Sequence, residues 1–131
     1  MDENAVVESV CLRMEQAGYK ILERCTTTMQ GIDVVAHDSL KDHHYYVEAK
    51  GGTSSRIGSA RFGREYTQSQ VFDRVAKGIF TCMQLRAKFS DRTNQHIVLA
   101  VPDSHWFQFY IGQVMTQLID TGIEVSFHQR G

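Results

Sequence analysis

The stretch Tyr45-Tyr46-Val47-Glu48-Ala49-Lys50-Gly51-Gly52 most narrows what this chain can fold into. It is aromatic and β-branched at first and is stopped by two glycines, which suits a strand feeding a loop. Side chains alternate faces along a strand, so Glu48 and Lys50 point one way and Tyr45, Val47 and Ala49 the other, toward a core.

The flanking sequence supplies the neighbours such a strand needs. Residues 3–17 predict a helix, with Val6, Val7, Val10, Cys11 and Met14 at helical spacing, Asp2 or Asn4 as cap and Gly18 as stop. Strands are expected at 19–26, 32–37 and 45–50, joined by turns short enough for an antiparallel meander. Thr67 or Ser69 caps a second helix running to about residue 89, whose apolar side carries Val71, Phe72, Val75, Ile79, Cys82, Met83, Leu85 and Phe89. Residues 96–101 form a nearly unbroken apolar run, as in a strand buried on both faces, and Pro102 ends it. A third helix carrying Trp106, Phe107, Phe109, Tyr110, Val114, Leu118 and Ile119 runs to Gly122, and a short strand closes the chain at 123–127. The order is α-β-β-β-α-β-α-β, one α/β domain with helices over a mixed sheet. At 131 residues and 42% hydrophobic content, the chain can bury its own core.

Asp33 is the residue that needs a reason. It interrupts Ile32-Asp33-Val34-Val35-Ala36, and an unpaired buried carboxylate is costly. Placed on the strand next to Glu48, it makes an oxygen-rich pocket suited to Mg²⁺ or Mn²⁺. Lys50, on the face of Glu48, could orient water and balance charge on a phosphate. The charge distribution agrees. Residues 1–49 carry nine acids and four bases, whereas residues 50–77 carry six bases and two acids. The long irregular segment 51–66 holds Arg56, Arg61 and Arg64, with Phe62 and Tyr66 among them as stacking candidates, and Arg74 follows on the helix.

These residues resemble the PD-(D/E)xK nuclease superfamily, the restriction-endonuclease-like nucleases. Gly31-Ile32-Asp33 is followed fifteen residues later by Glu48, within Tyr46-Val47-Glu48-Ala49-Lys50. The element order resembles that family's αβββαβ core over residues 3–101, with the last helix and strand as an extension. The resemblance implies that Asp33 and Glu48 bind the metal, that the Ala49 carbonyl can join them, and that Lys50 serves the attacking water. It also implies a first-helix glutamate, for which Glu8 is the match, and a glutamine after the motif, for which Gln70 is first choice and Gln68 second. The proline of the family name is absent, Ile32 standing before Asp33, and Arg74 stands where exonuclease-like members carry a tyrosine.

The expectation is therefore a divalent-metal-dependent nuclease acting on DNA, most simply an endonuclease and a homodimer. The alternatives are a catalytically inactive nucleic-acid-binding or assembly module on the same fold, an RNA-directed nuclease, or a protein-interaction domain. The six histidines are scattered, and the pair His43-His44 reads as loop surface, with His37 on the face of Asp33. There is no Walker-type phosphate loop, and no organic cofactor is expected. Three widely spaced cysteines, an acidic N-terminus and the lack of a membrane-length apolar run predict a cytoplasmic protein with reduced thiols.

Overall fold

The computed structural model describes residues 1–25, 31–53 and 64–129. Helix α1 (Glu3–Gln16) begins where the Asp2 side chain accepts the Ala5 amide at 2.8 Å, satisfying one of the donors a helix start leaves open. Strands β1 (Lys20–Arg24), β2 (Val34–Asp38) and β3 (His43–Ala49) follow, then α2 (Gln68–Lys88), β4 (Gln95–Pro102), α3 (His105–Gly112), α4 (Met115–Thr121) and β5 (Ile123–His128).

The strands form one sheet in the order β1-β2-β3-β4-β5. The first two pairings are antiparallel and the last two parallel. Connection length explains the switch, because a parallel step needs a crossover and here helices provide it. The molecule is thus α/β, with a five-stranded mixed sheet flanked by helices.

Helix α1 covers one sheet face, burying Val6, Val7, Val10 and Cys11 against Val34, Val47, Ala49, Val98 and Ala100. The other face carries Ile97, Leu99, Val101 and Ile123 under Val71, Val75, Cys82 and Leu85 of α2, Phe107 and Ile111 of α3 and Leu118 of α4. β4 is therefore buried on both faces, which is why its sequence shows no alternation. The three cysteines are buried. Among the described residues, no helix is long and apolar enough to cross a membrane.

Three expectations are corrected. The third helix is two, because the chain breaks after Gly112 and Val114 adopts φ −127° and ψ 13°. The break re-aims the chain so that both Ile111 and Leu118 reach the core. The second strand starts at Val34, since Asp33 is engaged by its side chain. Phe72 and Met83 are exposed and lie off the buried side of α2, whereas Phe107 is fully buried.

Candidate active site

The site is built at the end of β3. In register, Val34 faces Val47, so the preceding Asp33 lies across from Glu48. The Lys50 amide donates to the Ala100 carbonyl on β4 at 3.0 Å, so the preceding amide, that of Ala49, is turned toward β2. Asp33 Oδ2 accepts that amide hydrogen at 2.8 Å. The Asp33 carbonyl is also used, accepting from the Cys25 amide at 2.8 Å. Two backbone contacts thus fix a buried acid at the mouth of the strand pair.

Glu48 and Lys50 share the face of α2, as alternation requires, and Lys50 Nζ stands 3.6 Å from Glu48 Oε1 with both side chains largely buried. Glycines make room for this. A Cβ at Gly78 of α2 would come within 2.8 Å of the Leu99 side chain and 3.2 Å of the Lys50 Cγ, so the glycine lets the helix close over the lysine without displacing either. At Gly51 a Cβ would lie 2.2 Å from the Glu3 amide nitrogen. The glycine after the lysine thus lets the start of α1 seat against the end of β3.

That seating corrects the first-helix acid. Glu8 is exposed on a groove with Ala5, Ser9 and Leu12. Glu3 instead turns into the electrostatic neighbourhood of Asp33, Lys50 and Arg74, and its pKa is raised by burial and then by Asp33. Glu48 is pushed up to about 8, first by burial, then by the charge of Asp33 and by a hydrogen bond to it, which Lys50 does not offset. That shift favours the protonated form of Glu48 at neutral pH. Cys82 lies close enough to feel both acids, and burial pushes its thiol up to about 12.

The glutamines do not reach the acids. Gln70 Oε1 accepts the Thr67 amide at 2.8 Å and completes a capping box at the start of α2. Gln68 Nε2 donates to the Tyr110 hydroxyl at 3.0 Å. Gln70 is therefore a helix cap, which its position three residues after Thr67 already allowed.

Arg74 Nη2 donates to the Tyr66 hydroxyl at 3.4 Å, and its guanidinium lies 5.2 Å from the centre of that ring. Arg74 is close enough to Glu3 to lower its pKa, and Tyr66 lines a cleft of about 220 Å³ together with Gly52, Ser104 and Trp106. Arg64 is exposed. Arg56, Arg61 and Phe62 lie outside the described residues.

The donor set fits a hard divalent cation. Asp33 and Glu48 are two oxygen donors whose charge interaction helps raise the Glu48 pKa, and a cation there would take the place of the proton on Glu48. Asp33 and Glu48 would hold it.

No family model, curated protein or solved structure matches this chain.

The function of the site is therefore read from its geometry. Sequence reasoning chose Glu8, near the flank of the apolar stripe of α1, and missed Glu3, which only the contact at Gly51 brings forward. It also left unjoined a second cluster, where His37, Asp42 and His44 bring ligand atoms within 4.8 Å of one another.

Proposed function

We propose that this protein is a divalent-metal-dependent nuclease of the PD-(D/E)xK type that hydrolyses phosphodiester bonds in DNA. The observation that carries the reading is one buried constellation: Asp33 anchored by the Ala49 amide, Glu48 across the strand pair from Asp33, and Lys50 3.6 Å from Glu48. The strand order and the crossover α2 are compatible with a restriction-endonuclease-like core. In this reading Asp33 and Glu48 hold Mg²⁺ or Mn²⁺, with the Ala49 carbonyl as a further donor. The ion supplies charge stabilisation at the phosphate and lowers the pKa of water.

The chain's own groups do the rest. Asp33 is pre-oriented by its backbone contact and needs no rearrangement to serve as a ligand. Glu48 would serve as a ligand beside Asp33 in its deprotonated form. Lys50 hydrogen-bonds and orients the attacking water, and its positive charge offsets the negative charge growing on the phosphate. Glu3 adds a third acid close enough to feel the charges of Asp33 and Lys50. Arg74, held on the Tyr66 ring, is placed to contact a phosphate on the substrate backbone, and Arg64 extends that grip, as would Arg56 and Arg61. Tyr66 offers a ring face for base stacking, and Phe62 would add another. A cytoplasmic homodimer, one site per strand, completes the proposal.

The test is a substrate panel of supercoiled plasmid, linear duplex, single-stranded DNA and RNA with Mg²⁺ or Mn²⁺. DNA cleavage that disappears with EDTA and with Lys50→Ala supports the reading. Cleavage of RNA alone would redirect it to an RNA-directed nuclease. Nucleic-acid binding without cleavage would leave a binding module on the same fold.

A further inference from the structure

We propose that the hairpin between β2 and β3 carries a separate metal site, formed by His37, Asp42 and His44, for a late first-row divalent ion such as Zn²⁺. His37 and His44 are direct partners in the β2–β3 register, and their rings stack at 4.4 Å with 28° between planes. Cross-strand partners on a fixed ladder keep two imidazoles side by side without any loop having to hold them. Asp42 adds the third donor. Its φ of 55° lies in the left-handed region that non-glycine residues rarely adopt, and its Oδ1 lies 2.8 Å from His37 Nε2.

One ligand atom from each of the three residues falls within 4.8 Å of the other two. A tetrahedral ion with bonds of about 2.0 Å needs its ligands about 3.3 Å apart, so the ligand atoms have at most about 1.5 Å to close. Two imidazoles and one carboxylate select Zn²⁺ and its neighbours over Mg²⁺, which prefers all-oxygen, octahedral sites. A fourth position remains for water.

The neighbouring polar groups are otherwise engaged. His43 points to the opposite face, where its Nδ1 lies 2.9 Å from His96 Nε2, and His96 Nδ1 lies 2.8 Å from Glu124 Oε2. Asp38 accepts the Leu40 amide at 3.1 Å within the turn. His44 and Glu48 are four residues apart on one strand, roughly 13 Å at about 3.3 Å per residue, so this site is distinct from the carboxylate pair.

The experiment titrates the full chain with Zn²⁺ at pH 7.5 in millimolar Mg²⁺, against a chromophoric zinc indicator. Ring signals of the histidines are followed by NMR. The expected result is one equivalent of Zn²⁺, perturbed His37 and His44 rings, and affinity kept in His43→Gln and in the Asp33→Asn/Glu48→Gln double variant. Affinity should fall at least about tenfold in His37→Gln, His44→Gln and Asp42→Asn. Asp42 is exposed on the hairpin, so its variant tests the site without risking the core. No zinc uptake overturns the proposal, as does uptake unchanged in these three variants. Uptake abolished instead by His43→Gln or by the double carboxylate variant also overturns it.

Discussion

Replacing Glu48 with glutamine should make the metal-free protein more stable, and more so as pH rises. The Glu48 carboxyl is held up to about 8, against an ordinary value of 4.5. Below pH 4.5 it is protonated in both folded and unfolded chains, and the substitution has little effect. Between 4.5 and 8 the unfolded chain releases a proton that the folded chain keeps, so stability falls as pH rises through that window. At pH 7 the gap is about 2.5 units, or about 3 kcal/mol at 1.36 kcal/mol per unit. Glutamine keeps the size and can still donate to Asp33, but it replaces the carboxyl oxygen beside Lys50 with an amide, which offsets about 1 kcal/mol. The net gain at pH 7–8 is then about 2 kcal/mol, or roughly 6–10 °C in Tm for a domain of this size. Thermal unfolding with EDTA from pH 4.5 to 8.5 measures it. Parent and variant curves that stay parallel across this range would refute the raised Glu48 pKa, and so would a variant that becomes less stable at high pH. Added Mg²⁺ should raise the Tm of the parent and narrow the difference, since a ligand of the folded state stabilises it by mass action.

Two further outcomes follow from the packing. Gly51→Ala should cost at least about 2 kcal/mol, because its Cβ would fall 2.2 Å from backbone of α1 and the helix must move away; urea unfolding measures it, and a neutral substitution would contradict the seating of Glu3. His128 is buried between the hydroxyls of Ser9 and Ser126, each 2.8 Å from a ring nitrogen, and burial followed by the charge of Arg13 holds its pKa down to about 4. The unfolded chain binds that proton below about 6.5, so up to about 3 kcal/mol of stability is lost as pH falls from 6.5 to 4. His128→Gln should flatten that part of the urea-unfolding pH profile, and an unchanged slope would rule the contribution out.

The sheet was legible because its physics is local. Short polar turns dictated the antiparallel meander, and the unbroken apolar run at 97–101 announced a central strand buried on both sides. Asp33 and Glu48 were legible for the same reason, since strand alternation and hairpin register are nearly arithmetic. What escaped depended on contacts between distant segments. The choice of Glu3 over Glu8 is made by the missing Cβ of Gly51, forty-eight residues beyond Glu3. Gln70 looked free for chemistry until the capping box claimed it, although the Thr-x-x-Gln spacing was a local signal that could have been weighed. The pairing of His37 with His44 follows from a hairpin register that a residue count around residues 38–43 could have supplied. The break between α3 and α4 left only Gly112 and a β-branched Val114 as traces in the sequence, too weak to separate from an intact helix.

The most direct test of the central claim is Mg²⁺-dependent cleavage of supercoiled plasmid by the parent and by Lys50→Ala, with folding of the variant confirmed by circular dichroism. The account predicts nicking by the parent that stops with EDTA, and a loss of at least about a hundredfold in the variant. A parent that leaves DNA intact, or a Lys50→Ala protein that cuts as fast as the parent, would contradict it.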